Sequence, residues 1–292
     1  MRYIELANRS LPCYTITNHD GGFPFGEGMA VMTRITDPRI TSAVERFFGK
    51  PAVHDSLELL GRRLSAEARL FVAGGAIRNL IIEALHGSAP PTLDIDLFVG
   101  GVGGDVDLVG VLNDQTVTET DLKGVRWHPA SSAYAFDLCL LPDFLVIARY
   151  HLDPTLENLL AGIDFTINAV VFDVGRRTLI ENGATAAIRE RVIDFNSRWI
   201  PDRCLKAYRI LLMAHKTGFR LSEAVFEFVT KRMDVESLKR VKRMLRAKQG
   251  KAVAAVVMLG YDHLCRLGSY ASYRAHEASI SRWSGRSMTG KD

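Results

Sequence analysis

Between residues 40 and 68, apolar Val44, Phe47 and Phe48, then Leu57, Leu59, Leu60 and Leu64, recur at three- and four-residue intervals, which predicts helix. ARLFVAGG (68–75) is an apolar run too short for a helix and closed by two glycines, so it predicts a buried strand. AIRNLIIEAL (76–85) returns to helical spacing. GSAPPT (87–92) is a loop, because proline lacks the backbone donor both regular elements need. LDIDLFVG (93–100) predicts a second strand. SAYAFDLCLL (132–141) alternates, with Tyr134, Phe136, Leu138 and Leu140 on one face and Asp137 on the other. DFTINAVVFDV (164–174) is a further apolar run, and TLIENGATAAIRERVIDF (178–195) reads as strand, turn and short helix. From Asp202 to about residue 265 the spacing is helical, with breaks at Gly218 and Gly250.

Strands dominate the middle and helices the end, which predicts an α+β fold: a mixed central sheet followed by a short all-helical domain. The expected divisions are an irregular N-terminal extension (1–40, with GGFPFGEG at 21–28), a sheet-bearing domain (41–197), a basic helical domain (198–267) and a weakly ordered tail (268–292). A hydrophobic share of 47% and a charged share of 24% exclude a disordered chain. No apolar run reaches the roughly 18–20 residues of a membrane span, so no membrane partner is expected. MRYIELANRS lacks a signal-peptide pattern, and Cys13, Cys139, Cys204 and Cys265 are scattered without a metal-site spacing, which predicts a reducing, cytoplasmic setting.

Net charge is only +4, but it is unevenly spread. Residues 203–251 hold 14 Lys and Arg against four acids, a segment of +10 in a chain whose remainder is −6. Such a segment suits a polyanion, and Lys239, Arg240, Lys242, Arg243 and Arg246 are the candidate phosphate contacts. The competing reading is an ordinary solvated helix face.

Asp94 and Asp96 leave the same face of one predicted strand. Two carboxylates so close repel unless a cation sits between them, and hard oxygen ligands on a rigid strand suit a divalent ion for phosphoryl transfer. Asp137 could join them from a neighbouring strand. The D-x-D spacing alone is weak: Asp105-Val106-Asp107 repeats it in a Gly-rich stretch that reads as a solvated turn. The upstream Gly74-Gly75 adds weight, since a glycine turn opening a helix offers backbone N–H groups to phosphates. Trp127, Trp199 and Trp283 are candidate base-stacking positions, although isolated aromatics more often serve packing.

VAGGAIRN, DIDLFV and DFTINAVVFD together resemble the head domain of the poly(A) polymerase and CCA-adding tRNA nucleotidyltransferase family, the bacterial-type (class II) branch of the polymerase-β-like nucleotidyltransferase superfamily. The family pattern is Gly-Gly-x-Val-Arg-Asp, a short helix, Asp-x-Asp, then Arg-Arg-Asp-x-x-x-Asn-Ala, then Glu-Asp-x-x-Arg on a helix. The resemblance covers roughly residues 55–220. It implies that Gly74, Gly75 and Arg78 hold the triphosphate of an incoming nucleotide (ATP or CTP). It implies two Mg²⁺ ions on Asp94 and Asp96, with Asp137 as the third catalytic carboxylate. Asp164 and Asn168 would face the ribose and phosphates. The helix in PDRCLKAYRILLMAHKTGF would carry the base-selecting positions, with Asp202, Lys206 and Arg209 toward the nucleotide. The implied activity is template-independent addition of NMP to an RNA 3′ end, with tRNA as the expected partner.

The departures are specific. Asn79 stands where the family has Asp, and the link from Gly75 to Asp94 is longer. Gly162-Ile163 replaces the two arginines before Asp164. Asp202-Arg203-Cys204-Leu205-Lys206 replaces Glu-Asp-x-x-Arg, and neither Arg203 nor Lys206 has the hydrogen-bonding geometry of the residue it replaces. The chain also ends short of the neck, body and tail expected after the head. Three readings stay open: transfer to a tRNA 3′ end, transfer to a different acceptor (toxin-like, protein or small molecule), and a degenerate RNA-binding head without catalysis.

Overall fold

The structure is a computed structural model that describes residues 32–120, 123–199 and 202–276. It opens with a two-residue strand, β1 (Thr33–Arg34). Asp37 then caps α1 (Pro38–Phe48), its carboxylate accepting from the Arg39 backbone N–H at 3.0 Å while Pro38 fills the first turn. α2 (Pro51–Arg63) follows, also opened by proline. β2 (Arg69–Ala73) runs through the Gly-Gly turn into α3 (Gly75–His86), which a left-handed Gly87 terminates. β3 (Asp94–Gly100) carries the D-x-D pair.

Asp107 caps a single turn, α4 (Leu108–Val111), before a meander of β4 (Thr116–Glu119), β5 (Val125–His128) and β6 (Ala135–Leu140). Two short helices that the sequence pattern left unassigned, α5 (Leu145–Tyr150) and α6 (Leu156–Gly162), lead into DFTINA. β7 (Val170–Asp173), β8 (Thr178–Glu181), α7 (Ala184–Glu190) and β9 (Val192–Ile193) complete the first half. The second half is α8 (Arg203–Thr217), β10 (Arg220–Leu221), α9 (Glu223–Lys231), α10 (Val235–Leu267) and α11 (Tyr270–Ala275). The expected breaks are present: Gly218 ends α8 in the left-handed region, and Gly250, at φ 83°, kinks α10.

Eight strands form one mixed sheet in the order β1-β8-β7-β2-β3-β6-β5-β4. Its pairs are antiparallel except β3 with β6. Both faces of its centre are covered, which explains why β2 reads as an unbroken apolar run. Leu70, Val72, Ile95, Leu97, Phe136 and Leu138 face a large core with α1, α3 and α7, and the same core continues into α8, α9 and α10. Phe71, Ala73 and Val171 face a smaller core made by α5 and α6. That second layer leaves part of the sheet bare beside β3 and β6, and the site lies there.

Two expectations need correction. Residues 32–40 are not irregular: Thr33 and Arg34 pair with Glu181 and Ile180 on β8, and Ile35 enters the core. Residues 1–31, including GGFPFGEG and Cys13, lie outside the described residues. Nor is 268–276 weakly ordered. Tyr273 on α11 is buried against Phe226, and its hydroxyl accepts from the Leu221 backbone N–H at 2.7 Å. Residues 277–292, including Trp283, are likewise outside. Among the described residues no helix is long and apolar enough to cross a membrane.

Candidate active site

Strand register places four residues in one row. Ala73 on β2 is opposite Asp96 on β3, Asp96 is opposite Asp137 on β6, and Asp137 is opposite Arg126 on β5. Asp94 lies on the same face of β3, two residues before Asp96. Ile95, Leu97, Phe136, Leu138, Val125 and Trp127 point the other way into the large core, so the alternation that buries them raises the polar row to the open face. Trp127 is fully buried, which removes it as a base-stacking candidate.

Burial, then the negative charge of Asp137 and Asp94, pushes the Asp96 carboxyl up to about 6, despite the opposing pull of Arg209 and Arg78. Asp137 has a different setting from the one expected. Arg126 grips it with two bonds, Nε to Oδ1 and Nη2 to Oδ2, both 2.7 Å, and the same Nη2 lies 3.3 Å from Oδ1 of Asp94. Among the described residues no three His, Cys, Asp or Glu side chains cluster as a ready metal cage. Asp94 and Asp96 nevertheless fit a divalent cation: both offer hard oxygens from a rigid strand, and a cation would relieve the crowding that raises the Asp96 pKa. Asp137 stands beside Asp96 in register with the Arg126 guanidinium already on both of its oxygens.

The Gly-Gly turn closes against this pair. Gly74 has φ +71°, and a Cβ there would lie 3.1 Å from Oδ2 of Asp96. α3 starts at the next residue without a side-chain cap. Arg78, one turn on, is buried; its Nε and Nη2 donate to Oδ1 of Asn79 at 3.0 and 2.8 Å, and its Nη1 to Oδ1 of Asn168 at 2.7 Å. Burial lowers its pKa to about 10. The exchange of Asp for Asn at 79 has a local reason: the amide keeps the acceptor that Arg78 needs, and its Nδ2 donates to Oγ1 of Thr92 at 3.2 Å, which a carboxylate cannot do.

Asp164 lies beneath the row. It accepts from Arg209 through Oδ2 and from Nδ2 of Asn168 at 3.2 Å through Oδ1. Burial raises its pKa, but Arg209 and Lys206 outweigh that and the net shift is downward. Gly162 explains the missing arginines, since a Cβ there would meet Cε1 of Phe144 at 2.6 Å, and Ile163 is buried in the smaller core.

α8 supplies the other wall. Asp202 caps it, Oδ1 accepting from the Leu205 N–H at 2.8 Å, and Oδ2 accepts from Nη2 of Arg240 at 2.8 Å. Arg240 is therefore tied to the start of α8. Lys206 is buried, its Nζ 5.5 and 5.6 Å from the ring centres of Phe165 and Phe195, and burial lowers its pKa to about 8. Further along α10, Lys239 and Arg243 approach Glu236 at 3.3 and 3.8 Å, while Lys242 and Arg246 are exposed.

These elements enclose a cavity of about 670 Å³. Gly74, Gly75, Arg78, Asp96, Asp137, Asp164, Asn168, Asp202, Lys206 and Arg209 all line it; Asp94 is half exposed and does not. Arg126, Phe144 and Glu119 line it too and were not expected from sequence. The alternation of VRWH could have flagged Arg126 as outward-facing, but nothing in the sequence pairs β5 with β6. Trp199 joins the wall, flanked by Tyr150 at 5.8 Å and by the Arg198 guanidinium at 4.7 Å.

No family model matches this sequence, and no curated protein matches it. Solved structures do match in fold. A CCA-adding enzyme in complex with ATP aligns with a TM-score of 0.55 at 16% identity, over 79% of this chain and 55% of the other. A CCA-adding enzyme in an apo form gives 0.57 at 17%, over 81% and 55%. The Thermotoga maritima CCA-adding enzyme complexed with tRNA gives 0.52 at 18%, over 79% and 54%. This chain spans a little over half the length of each. The fold, a mixed sheet joined to a helical region, is thus shared with part of these CCA-adding enzymes.

Proposed function

We propose that this chain is a template-independent nucleotidyltransferase, transferring NMP from ATP or CTP to an RNA 3′ end, with tRNA as the acceptor. The observation that carries this reading is the β3–β6 register. It sets Asp96 beside Asp137, with Asp94 on the same face, where the Gly74-Gly75 turn and the start of α3 close a nucleotide-sized cavity. The likeness to structures of CCA-adding enzymes with ATP and with tRNA supports it.

Asp94 and Asp96 are the residues that would hold magnesium, two ions by the family resemblance. Bound there, magnesium would supply Lewis-acid stabilisation of phosphate charge and acidify the attacking hydroxyl. The N-terminus of α3 receives phosphate, and Arg78 and Arg209 set a positive field around it. The bond formed joins the acceptor 3′ oxygen to the α-phosphorus, and the bond broken releases pyrophosphate.

A second reading, transfer to a different acceptor, draws on α8. Arg203 stands at the position of the family's base-reading Asp and Lys206 at that of its Arg, and Lys206 packs over two rings while the neighbouring Asp202 has both oxygens engaged, so neither position offers the family's contacts to a base edge. Incubation with Mg²⁺, each labelled NTP and total RNA tests both readings. Labelled tRNA is the expected result, label in another species would favour the second, and no incorporation with RNA binding retained would overturn catalysis.

A further inference from the structure

Arg126 is the cation closest to the carboxylate cluster. It forms a two-bond pair with Asp137 at 2.7 Å and reaches Asp94 at 3.3 Å, while Asp96, between them, makes no hydrogen bond among the described residues. Building on the nucleotidyltransferase reading, we infer that Arg126 is a positioning residue that limits the empty-handed cluster to one divalent ion and yields Asp137 to a second only when a nucleotide's phosphates enter.

Charge balance supports this. Three carboxylates and one guanidinium leave −2, which one divalent cation neutralises. A second cation would leave an excess of +2 with Arg126 in place, against +1 once the guanidinium has left, so Arg126 disfavours the second ion until a polyanion draws it away. Mobility supports it too. Arg126 sits on a four-residue strand, its side chain is 40% exposed, and it lines the cavity. Val125 and Trp127 anchor that strand in the core, so the guanidinium can swing without unpacking anything. The ion pair is partly exposed, and a triphosphate can compete for the guanidinium by accepting several charge-assisted bonds.

The test is equilibrium dialysis of the full chain with Mn²⁺, counting ions retained per chain, with and without the non-hydrolysable adenosine 5′-(α,β-methylene)triphosphate. Wild type is expected to retain one ion alone and two with the analogue. Arg126→Gln is expected to retain two without the analogue, and Arg126→Lys, which keeps the charge, one. Should Arg126→Gln fail to fold, Asp137→Asn serves instead: it is expected to retain one ion in both conditions. Two ions on nucleotide-free wild type, one on folded nucleotide-free Arg126→Gln, or an analogue-dependent second ion on Asp137→Asn would each overturn the inference while leaving the enzymatic reading intact. Wild type that retains no Mn²⁺ even with the analogue would overturn both.

Discussion

Arg78 donates through Nη1 to Oδ1 of Asn168 at 2.7 Å, although the two residues lie 90 positions apart. The bond is one link in a chain. Asn79 holds the other side of the guanidinium, Asn168 donates onward to Asp164, and Asp164 accepts from Arg209 on α8. The Gly-Gly turn, the DFTINA segment and α8 are thereby locked into one frame around the cavity.

Asn168→Ala leaves Arg78 and Asp164 each short of a partner in a buried place. Hydrogen bonds to charged groups contribute about 1.5–3 kcal/mol each, so a loss of roughly 2–4 kcal/mol is expected in urea unfolding. A variant as stable as wild type would show that the network is dispensable.

At the carboxylates, Asp94→Ala and Asp96→Ala are each expected to lower nucleotide incorporation by orders of magnitude while leaving the circular-dichroism melt near wild type. Gly74→Ala forces a positive φ, at about 1–2 kcal/mol, and crowds Asp96, so it should impair activity more than stability. Unfolding of the aspartate variants would point to a structural role for the pair.

Lys206 gives a pH signature. Burial brings its pKa from the ordinary 10.5 down to about 8. Between those values the unfolded chain holds a proton that the folded chain has lost, so this residue makes stability rise with pH from 8 to 10.5. The rise is on the order of 3 kcal/mol. Lys206→Met should lack it, and comparing denaturant midpoints of the two proteins at pH 7.5 and 10 isolates the effect.

Gly162→Ala drives a methyl group into Phe144 and is expected to cost about 1–3 kcal/mol. Gly162→Arg should do worse and should not improve nucleotide binding. A folded Gly162→Arg protein with tighter ATP binding would mean that the wall can open.

On α10, Lys242 and Arg246 are among the exposed cations. Alanine at both should weaken tRNA binding uniformly across sequences and flatten the log–log salt dependence by about 1–2, as lost phosphate contacts require. Arg240→Ala should instead lower the melting temperature modestly, since it loosens Asp202 and the start of α8.

The central strands, α3, α8 and the kink at Gly250 could be read from apolar spacing and glycine placement, because those signals are local. The carboxylate row was half legible: Asp94 and Asp96 share a face by the period of a strand, but their neighbour depended on strand order. α5 and α6 escaped because helices of six and seven residues carry too little periodicity. β1 and α11 escaped because they owe their form to distant partners, Glu181 and Ile180 for one, Phe226 and Leu221 for the other.

By itself, then, the amino-acid order determined which side chains leave a strand or helix together, since alternation and helical repeat are properties of the backbone. Only the tertiary structure decided what meets across the fold: that Asp137 stands beside Asp96, that Arg126 pairs with it, and that Phe144 packs against Gly162. Those meetings arise from sheet order and layer packing, which bring residues far apart in the chain within bonding distance and which no local pattern encodes.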